Sequence, residues 1–90
     1  MPTITAADYD AARRLINPDQ LQRARAISTT KRRRAAFVAI ARDALGAALI
    51  QRYALKDFRA LTKLLRSDNP TFDFDACNTA AAVALFPEEL

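Results

Sequence analysis

Arg52, Lys56, Arg59, Lys63 and Arg66 recur at spacings of 4, 3, 4 and 3, with no acid among them. On an unbroken helix the five would fall within an arc of about 80° over roughly 20 Å, a row that can track phosphates. Arginine and lysine on phosphate oxygens position a protein without reading bases. A solvated outer face is the plainer explanation, because surface helices are often basic. A second basic locus is the run Lys31, Arg32, Arg33 and Arg34 in STTKRRRAAF. It falls where a helix should begin, and the partial positive charge of a helix amino end disfavours cations by a few tenths to about 1 kcal/mol. Four consecutive helical residues point around the whole circumference, so some of them should pair with Asp19 or with the acidic C-terminal region.

Other chemistry lacks its residues. The chain has no histidine, a single cysteine (Cys77) and a single glycine (Gly46). The commonest general base and metal ligand is therefore missing, a zinc site has too few ligands, and the glycine-rich phosphate loops cannot be built. Asp8 and Asp10, like Asp73 and Asp75, stand two apart and so on different faces of a helix, which suits capping better than paired acid–base work. Ser28 and Ser67 lie in no nucleophile-elbow setting. No catalytic set, metal site or cofactor is expected, and the chain reads as non-enzymatic.

The net charge of +4 conceals an asymmetry. Residues 1–66 hold all 14 Lys and Arg against five Asp, a balance of +9, whereas residues 67–90 hold five acids and no base. Such polarity fits an anionic partner, a self-masking tail, a head-to-tail contact between copies, or solubility alone. The apolar stretch 35–50 contains Arg42 and Asp43 and is too short to span a bilayer. The early residues have no signal-peptide form, and the lone cysteine fits a reducing compartment, so a cytoplasmic location is expected.

The elements that must carry these residues are helical almost throughout. Thr5 and Asp8 have capping-box spacing ahead of a first helix whose Tyr9, Ala12 and Ile16 share a face. Asn17 and Pro18 end that helix and start a second, roughly 18–27, with Gln20 closing its capping box and Leu21, Ala24 and Ile27 as its anchors. Thr29 or Thr30 caps a third. From Lys31 to Arg66 there is no proline and only Gly46, but a 36-residue helix is unusual in so small a domain, so a break is expected near YALKD, 53–57, with Asp57 capping a fourth helix to about Arg66. The first half of this stretch is apolar nearly all round, as befits a central helix. Its Ala41, Ala44 and Ala48 form a small-residue strip that admits a neighbouring backbone, from the same chain or from a second copy. Phe58, Leu61 and Leu65 should face the core, opposite the cationic row. Asn69 before Pro70 stops the fourth helix by Asp68. Asp73 then caps a last helix, about 74–86, with Phe72 and Cys77 placed as a hydrophobic staple and Cys77, Ala80, Ala81 and Ala84 inward. A single all-α domain, 1–90, of about five helices around a central apolar helix results.

The stretch KDFRALTKLLRSDNPTFDFDAC, residues 56–77, resembles the C-terminal part of short uncharacterised helical proteins of phages and other mobile elements. These share a Lys-Asp-aromatic helix start and a DNPxFD turn into a last helix; here Cys77 stands where they carry a larger apolar residue. The resemblance implies an origin in a mobile element. The basic residues point to nucleic acid, held through its phosphates by Lys31, Arg32, Arg33, Arg34, Arg52, Lys56, Arg59, Lys63 and Arg66. Residues 18–34 also have the outline of a helix-turn-helix, although the turn has no glycine. The alternative is a mobile-element-encoded protein-interaction module that inhibits a host machine, of the anti-CRISPR or anti-defence type. A third is a homodimer built on the alanine-rich helix 35–50.

Overall fold

A computed structural model describes residues 4–67 and 69–90. Five α-helices follow in order: α1 (Ala6–Leu15), α2 (Pro18–Arg25), α3 (Thr30–Arg52), α4 (Phe58–Ser67) and α5 (Phe74–Leu85), then a 3-10 turn, Pro87–Glu89. Among the described residues there is no strand, as the periodicity requires. Buried residues of all five helices join one cluster, at whose centre α3 lies. At 1.5 Å per residue α3 runs about 34 Å, close to the 39 Å long axis of the molecule.

The helix ends are set locally. The Thr5 N–H donates to Asp8 Oδ2 at 2.8 Å, and the Asp19 N–H donates to Asn17 Oδ1 at 2.9 Å beside Pro18 at N1. Gln20 adds no side-chain bond to this cap, and Thr29 caps α3 through its backbone alone, accepting from the Arg33 N–H at 2.9 Å. Asp57 accepts from the Ala60 N–H at 2.9 Å. Asp73 accepts from Asp75 and Ala76 at 3.0 and 3.1 Å.

The break between α3 and α4 is made without glycine. Leu55 N–H returns to the Ile50 carbonyl at 2.9 Å and Ala54 N–H to Gln51 at 3.2 Å, the paired bonds of a Schellman cap. Ala54 has φ 52°, the left-handed conformation that glycine usually supplies there.

Contacts at the two ends of α3 fix the direction of its neighbours. Asp8 in the first turn of α1 bonds Arg52 at the end of α3, while Arg13 in the last turn of α1 bonds the Ala84 carbonyl at the end of α5. Phe86, just after α5, packs its ring 5.2 Å from Phe37 in the second turn of α3. Both α1 and α5 therefore run antiparallel to α3. The strip Ala41, Ala44 and Ala48 is used here: all three are buried in the chain's own core, with the backbone approach they permit made to α1 and α5. The homodimer expected on this strip loses its surface.

Two inward faces differ from expectation. In α5 the buried residues are Ala81, Ala82 and Leu85, with Cys77 half-buried and Ala80 and Ala84 exposed. AAAVAL, residues 80–85, has no polar residue to set the phase, so Leu85 and Phe86, docking beside Phe37, set it instead. In α4 Leu61 and Leu65 are buried as expected, but Phe58 is 43% exposed. The tip of its ring reaches Gly46 of α3, where any Cβ would collide with it. Phe72, like Cys77, is half-buried against the core, and its ring meets Phe74 edge-on at 4.8 Å.

Candidate nucleic-acid interface

The break at 53–57 dissolves the five-cation row. Arg52 is the last residue of α3 and Lys56 lies in the connector, so only Arg59, Lys63 and Arg66 share a face of α4. Arg66 sits 5.4 Å from the centre of the Phe74 ring. Arg52 donates to Asp8 Oδ2 at 2.7 Å, and Asp8 also accepts from the Thr5 N–H and hydroxyl. The Asp8 side chain is only 5% exposed, so this bridge pins the start of α1 to the end of α3. Arg52 also stacks over Tyr53 at 4.9 Å. Arg52 is a structural residue and leaves the candidate interface.

The run at 31–34 divides differently. Arg33 turns back, donating to the Ile27 carbonyl at 2.8 Å and to Thr30 Oγ1 at 3.4 Å. Ile27 lies just past the C-terminal end of α2, where carbonyls lack helical partners and carry partial negative charge. A cation poorly placed for its own helix is well placed for the preceding one. Arg13 does the same for α5 through Ala84 O at 3.1 Å, while also pairing with Asp10 at 2.6 Å. Arg25 pairs with Glu89 at 2.7 Å, and Arg42 with its neighbour Asp43 at 3.0 Å.

Lys31, Arg32 and Arg34 are exposed and pair with no acid among the described residues. The expected pairing of this run with Asp19 is not formed; the acidic end reaches Arg25 instead. Two further exposed cations without acid partners, Arg14 and Arg23, occupy the last turns of α1 and α2 and so lie toward the same end of α3. Neither stands out in the sequence, because antiparallel packing brings them there. Lys56, Arg59 and Lys63 are likewise exposed, on the connector and helix that follow α3 in the chain. The two basic loci therefore sit on different elements, one on the start of α3 and one on the connector and α4.

A groove of about 270 Å³ lies among α3, α4 and α5, with Leu45, Leu49, Phe58, Leu61, Leu65 and Phe74 in its walls. It falls just below the roughly 300–1,000 Å³ of small-molecule sites. Burial raises the Cys77 thiol above its ordinary value, which favours the unreactive protonated form. Among the described residues no group of acids and cysteine is placed to hold a metal ion, and no helix is long and apolar enough to cross a membrane. No family model, no curated protein and no solved structure matches the chain. The functional surface of this all-α domain is its two sets of exposed cations, on the start of α3 and on the connector with α4.

Proposed function

We propose that the protein is a non-enzymatic nucleic-acid-binding module that holds phosphates with the amino end of α3. The observation that carries this reading is that Lys31, Arg32 and Arg34 stand exposed without an acid, in a molecule where Arg13, Arg25, Arg33, Arg42 and Arg52 each have an intrachain polar partner. Three cations clustered on a helix start repel each other and the helix dipole, and a polyanion relieves both. Arg14 and Arg23 extend the same surface.

With four or five phosphates engaged, the affinity for a duplex should fall with salt along a log–log slope of about −4. The test is the triple variant K31E/R32E/R34E, assayed by fluorescence anisotropy on a labelled duplex. Glutamates at a helix start are favourable, so the variant keeps its fold while binding is lost. Retained binding with an unchanged slope would overturn the reading.

The rival, a mobile-element-encoded module that inhibits a host machine, draws support from the surface around α4. There the exposed Phe58 ring, the apolar groove and the Arg59 and Lys63 cations resemble the mixed aromatic and basic character of protein interfaces. A protein that binds no nucleic acid and loses inhibition on Phe58→Ala would belong to that class.

A further inference from the structure

Resting on the nucleic-acid reading, we infer that α2 and α3 form a helix-turn-helix whose outward α3 face, from Lys31 to Ala39, enters the major groove of duplex DNA. The connection has the right length: α2 ends at Arg25, four residues intervene, and α3 begins at Thr30. The turn is held by Arg33 on the Ile27 carbonyl, which locks the start of α3 to the end of α2 without the usual glycine. Ala24 buries α2 in the shared core, and α1 packs along α3 to complete a three-helix unit.

The outward face has a profile suited to a groove. Lys31, Arg32, Arg34 and Ala35 are exposed, and Val38 and Ala39 are half-exposed, before the Arg42–Asp43 pair closes the face. Cations therefore lead, and small apolar residues follow. Arginine or lysine can bind guanine O6 and N7 in the major groove, and alanine or valine can meet the thymine methyl. Asp43, with a side chain 63% exposed, would repel phosphate and so limits the depth of insertion. From Lys31 to Ala39 the helix rises about 12 Å, enough to cover three or four base pairs at about 3.4 Å each. Arg14 and Arg23, exposed in the last turns of α1 and α2, would take backbone phosphates.

The same face argues against the other nucleic acids. A-form RNA has a deep, narrow major groove that does not admit a helix. Single strands are held on exposed aromatic platforms, whereas Phe37, the aromatic on this half of α3, is fully buried.

The experiment compares binding of the intact protein to duplex DNA, single-stranded DNA and duplex RNA of equal length at one salt concentration. It uses the tightest duplex selected from a random pool. Duplex DNA should bind at least about tenfold more tightly than the others, and methylation of guanine N7 within the selected site should weaken binding. The Ala35→Phe variant adds bulk without changing charge; it should abolish the preference for duplex DNA while keeping the salt slope near −4. Equal binding of all three nucleic acids, no N7 effect, or an Ala35→Phe variant with full duplex preference would overturn the groove inference and leave phosphate binding standing. Binding to none of them would instead overturn the nucleic-acid reading beneath it.

Discussion

At its amino end α3 carries four cations in a row and buries none of them fully, whereas at its carboxyl end Arg52 closes on a carboxylate that is almost wholly buried. The first group owes its geometry to neighbours in sequence: Arg33 reaches back six residues, and its companions project outward. The second is tied across the fold to a carboxylate 44 positions away. Counting charges along a chain does not distinguish a cation that is available from one committed to the fold. The commitment of each partner makes that distinction.

Removing one cation from each end of α3 should have very unequal costs. Arg52→Ala leaves Asp8 buried with only the Thr5 bonds, and solvent reaching the exposed half of Arg52 moderates the penalty. A loss of about 2 kcal/mol is expected in urea unfolding. Lys31→Ala or Arg32→Ala should shift stability by no more than about 0.5 kcal/mol. Equal losses at the two ends would erase the distinction between structural and available cations.

A smaller effect tests the helix starts. Asp73→Ala removes the acceptor for two backbone N–H groups of α5 and should cost about 1 kcal/mol, read from the thermal midpoint. Stability unchanged by this substitution would show that α5 is held by packing alone.

Ala54→Gly should move stability the other way. The left-handed conformation strains alanine by about 1–2 kcal/mol, and the greater freedom of glycine in the unfolded chain offsets part of the relief. A net gain of roughly 0.5–1 kcal/mol is expected, and a loss would mean that the Schellman cap does not persist in solution.

The smallest effect lies in the tail. Glu89→Gln releases Arg25 at the amino end of α3, which should change stability by less than about 0.5 kcal/mol and tighten polyanion binding slightly at low salt. Weaker binding would make the Arg25–Glu89 pair part of the interface rather than a partial mask.

Much of this fold could be read from short-range chemistry. Thr5 with Asp8, Asn17 with Pro18, Asp57 and Asp73 each cap a helix through neighbours within three residues, and the same local logic located the break near 53–57. What escaped reading depends on tertiary placement. The alanines of α5 carry no phase of their own, so Phe86 meeting Phe37 decides which of them turn inward. Phe58 looks like core by spacing but lies on Gly46 at the surface, because Gly46 lets a ring approach where a side chain would exclude it. The cationic row fails at Ala54, a non-glycine residue in a glycine conformation, which composition gives no reason to expect. The candidate site was legible at Lys31, Arg32 and Arg34; Arg14 and Arg23 join it only once α1 and α2 are packed.

The central claim is that the amino end of α3, and not the α4 face, carries the anionic partner. The direct measurement is a salt series of duplex-DNA binding for the wild type, for K31E/R32E/R34E and for R59E/K63E, at matched fold stability. The wild type and R59E/K63E should both show a slope of about −4, and K31E/R32E/R34E should not bind. Loss of binding in R59E/K63E with K31E/R32E/R34E unaffected would contradict it.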